Sequence, residues 1–150
     1  MESSRPARVL VVAHRTAATP ALLDAVRRRA AEGPARFTLL VPNPAHGLHR
    51  AVDPEDHGRD EAQVTVGLAV PLLEEAAGSP VESIVGVASP IDAVADALHL
   101  HGPFDEVLVS TLPRRLSRWL HMDLPAKLNG FGLPVTTVTA KATEREAQPA

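Results

Sequence analysis

Cysteine is absent from this chain of 150 residues, and so is tyrosine. The first absence removes disulfide frameworks, thiolate metal sites and Cys nucleophiles together, and leaves the redox compartment unconstrained. Aromatic residues amount to only 3%, so the core has to be built from Val, Leu, Ile and Ala, with Phe37, Phe104, Phe131 and Trp119 the only large rings available to anchor it. No excess of positive charge exists either: the formal net charge is −3, which argues against a globally basic surface for nucleic acid. Long apolar runs are missing too. Nothing approaches the roughly 20 apolar residues that span a bilayer, and Val9 to Ala13 is too short for a signal-peptide core. A cytoplasmic protein, without membrane or nucleic-acid partners, is the expectation.

What is present fits one globular domain. A chain of this length buries about 70% of the surface its unfolded form exposes, enough for a single core. An apolar fraction of 45% with 22% charged residues excludes collagen-like, coiled-coil and wholly disordered architectures. The expected domain covers 1–150, with a short disordered N terminus and a frayed tail from Ala140.

Strand and helix patterns alternate along the chain. Val9 to Ala13, Phe37 to Val41, Val81 to Val87, Phe104 to Val109 and Val135 to Val138 are short apolar runs rich in β-branched residues, the pattern of strands buried on both faces. Between the first two, Thr19 can cap a helix, Pro20 suits its first position, and Gly33 and Pro34 stop it. Pro42 to Asp60 is polar and lacks periodicity, which predicts a long loop. Val64, Leu68, Leu72 and Leu73 then have helical spacing, with Pro71 expected to kink or break the helix. Ser89-Pro90 with Asp92 opens a third helix that Gly102 and Pro103 end. Leu112, Leu116, Trp119 and Leu120 share one face of a fourth, which restarts at Asp123. Five buried strands joined by helices imply an α/β fold: a doubly wound parallel sheet with helices on both faces. Ligands collect at the carboxyl ends of such strands, where strand order reverses. The turns beginning at His14, Pro42, Ala88 and Ser110 are the places to look.

Those turns carry a resemblance. RVLVVAHRTA resembles the first strand and turn of the universal stress protein family, GVASPIDAVADAL its third strand end and following helix, and FDEVLVSTLPRRLSRWLHMDLPAKL its fourth strand and signature loop. The resemblance implies a five-stranded sheet of order 3-2-1-4-5, adenine nucleotide alpha hydrolase-like, and a homodimer joined through the last strand. ATP-binding members carry Gly-x2-Gly-x9-Gly-Ser or Gly-Thr after the fourth strand, where glycines let backbone N–H groups approach phosphates. Here Ser110 and Pro113 occupy the first two glycine positions, and Asp123-Leu124, or Met122-Asp123 with one deletion, the final pair. Pro113 offers no N–H, and a carboxylate at Asp123 repels phosphate. His14 stands where ATP-binding members place an aspartate. The usual ATP mode is therefore not expected, and no cofactor is.

Three groups of residues remain as candidates. Arg114, Arg118 and His121 share one helical face, with Arg115 flanking; they either hold a phosphate or carboxylate through guanidinium forks or form a solvated face. His14, Arg15 and Thr16 lie beside the start of the first helix, where an anion is attracted, or serve as turn and cap. Ser110 and Thr111 add hydroxyls to the same crevice, or satisfy their own loop. The donor-rich loop with His46, His49, His57, Asp53, Glu55 and Asp56 has no zinc spacing, so no metal is expected. His99 and His101 suit a helix C terminus and have no chemistry assigned. No catalytic arrangement can be named. The expectation is a non-enzymatic regulatory or ligand-sensing protein; a nucleotide enzyme with a rebuilt loop and a ligand-free interaction module are the alternatives.

Overall fold

The computed structural model of the chain describes residues 5–13, 16–42, 54–86, 90–111 and 130–139. Eight elements lie within them: β1 (Ala7–Val12), α1 (Pro20–Glu32), β2 (Ala35–Pro42), α2 (Pro54–Ala77), β3 (Val81–Gly86), α3 (Pro90–His101), β4 (Glu106–Thr111) and β5 (Val135–Thr139). The fourth helix expected around Leu116, Trp119 and Leu120, the disordered N terminus over its first four residues and the tail from Ala140 lie outside the described residues.

The five strands form one sheet in the order β3-β2-β1-β4-β5, and each neighbouring pair is parallel. This is the doubly wound sheet expected from the alternating pattern. Since parallel crossovers are right-handed, moving from β1 through β2 to β3 places α1 and α2 on one face, and the jump back to β4 places α3 on the other. Alternate side chains of each inner strand then serve different cores. Val9 and Val11 of β1, Phe37 and Leu39 of β2 and Leu108 of β4 join Leu22 and Val26 of α1 and Leu73 of α2. Leu10, Val12, Leu40 and Val109 face the opposite way and join Val94 and Ala97 of α3 with Phe104. Each fully buried Leu or Val contributes roughly 1.5–3 kcal/mol over its exposed state, which is how a core with so few rings can hold.

The ends of α1 follow from its residues. Thr19 is the N-cap, its hydroxyl accepting from the backbone N–H of Leu22, and Pro20 sits inside the first turn. Gly33 closes the helix.

Two expectations are corrected. The polar stretch from Pro42 does not run as a loop to Asp60, because α2 starts at Pro54. Proline is preorganised for a first helical position, which Pro54 takes here. Pro71 does not break the helix, which continues to Ala77. It stands on the exposed side, as does Gly67, so solvent can meet the carbonyl that the missing N–H leaves without a helical donor. Phe131 is a third departure: it is 39% exposed in a turn before β5, whereas Phe37 and Phe104 are buried as expected. Among the described residues no helix is long and apolar enough to cross a membrane.

Candidate functional site

Strand order reverses between β1 and β4, and their carboxyl ends flank the crevice where ligands bind in sheets of this kind. Three candidate residues are described there. Thr16 lies in the turn after β1, while Ser110 and Thr111 end β4; all three are buried, at 2%, 1% and 3% exposure. His14 and Arg15 on the first turn, and Arg114 and Arg118 after β4, lie outside the described residues, as do Arg115, His121 and Asp123.

The structure brings Thr16 and Ser110 together. The Thr16 hydroxyl donates to the Ser110 carbonyl at 3.1 Å, and the two hydroxyl oxygens are 2.7 Å apart. Each hydroxyl has a single proton. With the Thr16 proton on the carbonyl, the short contact is completed by Ser110 Oγ donating to Thr16 Oγ1. Both protons are thus used between the two strand ends.

The bonds continue to the start of α1. The Thr16 carbonyl accepts from the Thr19 hydroxyl at 3.0 Å and from the Thr19 N–H at 3.2 Å. The Thr19 hydroxyl in turn accepts from Leu22 N–H at 3.4 Å, and Leu23 N–H donates to the Thr19 carbonyl. Pro20 has no N–H. Of the orphan donors that make a helix N terminus attractive to anions, this one has few left.

Thr111 differs from its neighbours. Its Oγ1 is buried without a hydrogen-bond partner, an arrangement that costs about 1–3 kcal/mol of desolvation. It pairs in register with Thr139 of β5.

A second feature escaped the sequence reading. A groove of about 1080 Å³ runs between α1 and the β4–β5 side of the sheet, lined by Arg27, Arg28, Arg29 and Glu106 with Leu108 and Val138. Arg29 donates from Nε and Nη2 to the Glu106 carboxylate at 3.0 and 2.7 Å. Those hydrogen bonds, and then the charge of Glu106, raise the guanidinium above its usual pKa despite its burial. Arg27 and Arg28 are exposed and reach Asp24. The groove is therefore internally neutralised. No local signal links Arg29 to a partner 77 positions away, so only the folded sheet reveals the pair.

Among the described residues no cluster of three metal-ligating side chains occurs. The loop with His46 and His49 lies outside them, and so do the side chains of Glu55, Asp56 and His57.

No protein-family model matches the chain, and no curated protein does. Solved structures do match. A universal stress protein from Archaeoglobus fulgidus superposes with a TM-score of 0.63 at 17% identity, over 91% of this chain and 96% of that one. The universal stress protein from Archaeoglobus fulgidus in complex with dAMP superposes with a TM-score of 0.60 at 18% identity, over 89% of this chain and 98% of that one. With the strand order, the parallel pairing and the placement of helices already described, this likeness establishes that the chain has the universal stress protein fold.

Proposed function

We propose that the chain is a non-enzymatic regulatory or ligand-sensing protein of the universal stress protein type, and that it does not bind ATP in the usual mode of that fold. The observation that carries this reading is the buried Thr16–Ser110 contact. Hydroxyl protons that could meet a phosphate at the switch point are spent between the ends of β1 and β4. The sequence at the end of β4 and just beyond it supports it: Ser110 and Pro113 stand where ATP-binding members have glycine, and Pro113 has no N–H to offer. One neighbour of the same fold is a complex with dAMP, so the competing reading is a nucleotide-binding or hydrolysing enzyme with a loop rebuilt around Ser110, Arg114 and Arg118.

Thermal unfolding with ATP separates the two, because a ligand bound to the native state raises stability by RT ln(1 + [L]/Kd). Millimolar ATP is expected to leave Tm unchanged. Protein that carries ATP through purification would overturn the proposal.

Thr111 favours a small anion as the sensed ligand, since its buried Oγ1 has a proton without an acceptor. Arg114 and Arg118, with His14 and Arg15, are the cationic candidates for such a site. Sulfate should then stabilise the protein more than chloride at matched ionic strength, beyond its general salting-out effect. Changing both arginines to glutamine should remove the excess. An unchanged sulfate response would favour the ligand-free interaction module.

The chain is also proposed to form a homodimer through β5. This strand ends the sheet, and exposed edges tend to be paired or covered. Sedimentation at tens of micromolar tests this, and a monomer there removes it.

A further inference from the structure

The groove beside α1 is neutral as a whole, yet its charges are ordered. Asp24, Arg28 and Glu32 line it from the helix. Spaced four apart, they share one side of α1 and read negative, positive, negative along it. All three are exposed, and the groove lies alongside the Arg29–Glu106 pair. Leu108 and Val138 give it an apolar floor. Thr139, the last residue of β5, lines it too. Because β1, β4 and β5 are parallel, β5 ends at the same end of the sheet at which α1 begins.

We propose that the segment of this chain after Thr139 doubles back along the groove as an extended strap, with Lys141 at Asp24 and Arg145 at Glu32. Three observations select that occupant. The first is where it starts: Thr139 is itself part of the groove, whereas a right-handed connection from β4 to β5 belongs on the α3 face. The second is spacing. Asp24 and Glu32 are separated by roughly 12 Å of helix, and Lys141 and Arg145 by roughly 13 Å of extended chain. Wound as a helix, the same two cations would be only about 6 Å apart and would set Arg145 against Arg28. The third is order. Running the same way as α1, the strap offers positive Lys141, negative Glu144 and positive Arg145, and Glu144 comes level with Arg28 and Arg29. Ala140 and Ala142 alternate with Lys141 and Thr143, so they are the side chains turned to the Leu108 and Val138 floor.

Exposed ion pairs are individually weak and are screened by salt. The strap is therefore seated at low ionic strength and loosens as salt rises. It lies over the face of the sheet, so the outer edge of β5 stays open to another strand.

Lys127 and Lys141 are the only lysines of the chain, so a water-soluble carbodiimide, which joins an amine to a carboxylate in contact with it, reports the register in the unaltered protein. Peptide mapping should find Lys141 joined to Asp24. The lysine introduced by R145K should couple to Glu32 about tenfold faster than to Asp24, and about 1 M NaCl should remove most of that preference. Coupling to Asp24 as fast as to Glu32 would mean a helical or unseated segment and would overturn the proposal. Equal coupling to Glu82 on β3 or Asp96 on α3, both exposed on other elements, does the same. A preference for Glu32 that salt leaves unchanged removes the charge register and with it the proposal. The reaction is run on a mixture of isotopically light and heavy protein, in which the expected linked peptides carry one label throughout. Linked peptides of mixed label would assign the strap to a second copy and overturn the intrachain seat.

Discussion

Arg29 on α1 and Glu106 at the start of β4 form a forked ion pair, with Nε 3.2 and 3.0 Å from the two carboxylate oxygens and Nη2 2.7 Å from the nearer one. Their side chains are 18% and 28% exposed, so the pair ties helix to sheet in a largely shielded place. R29M leaves the Glu106 carboxylate without its fork and should cost about 2–3 kcal/mol in urea unfolding. The double variant R29M/E106L should be less destabilised than R29M alone, because neither charge then remains unpaired. Additive losses would show that the two groups act independently.

The switch-point hydroxyls divide into committed and uncommitted ones. T16V deletes the donor to the Ser110 carbonyl while keeping shape, and should cost about 1–2 kcal/mol. T111V deletes a buried hydroxyl with no partner, so it should be neutral or stabilising in ligand-free protein. Thermal unfolding of both variants checks the contrast. A loss at T111V as large as at T16V would mean that Thr111 has an acceptor.

Two glycines should respond in opposite directions to alanine. A side chain at Gly67 meets nothing within 4 Å, and glycine inside a helix is worse than alanine by about 0.5–1 kcal/mol. G67A should therefore raise monomer stability by about that amount. At Gly86, where β3 passes α3, a Cβ would come 2.7 Å from that of Ala93. G86A should lose about 1–3 kcal/mol, read as a shift of the urea midpoint.

Arg8 secures the chain between α3 and β4. Its guanidinium donates to the carbonyls of Pro103 and His101 at 2.8 and 3.0 Å and stands 4.7 Å over the Phe104 ring. Lysine keeps the charge but not the planar fork. R8K should cost about 1 kcal/mol and R8A somewhat more. Equal stability of R8K and the wild type would show that charge alone suffices.

The fold was legible from the sequence wherever the physics is local. Val9 to Ala13 reads as a buried strand because nothing polar interrupts it, and Thr19, Pro20 and Gly33 mark the ends of α1 because caps depend on immediate neighbours. The alternation led to a parallel, doubly wound sheet, and the order of its strands came from the resemblance alone. The start of α2 was hidden because its first turns are polar, so apolar periodicity had nothing to register before Val64. Phe131 misled because size suggests burial, while its turn faces outward. In the site, Thr16 and Ser110 were legible as neighbours of one crevice, but their bond spans 94 positions and only the sheet creates it. The arginines proposed as ligands, Arg15, Arg114 and Arg118, lie outside the described residues.

The central place of β1 has a consequence for how the chain comes into being. It hydrogen-bonds to β2 on one side, through Val12 opposite Leu40, and to β4 on the other, through Val9 opposite Glu106. During synthesis the first partner follows at once, while the second is not made until residue 106 leaves the ribosome. At roughly 5–20 residues per second, the growing polypeptide therefore carries for seconds an open edge of Val9, Leu10, Val11 and Val12, the most apolar strand it has. Unpaired edges of this kind template misassembly. The interval between β2 and β4 is thus when the nascent chain is most open to misassembly.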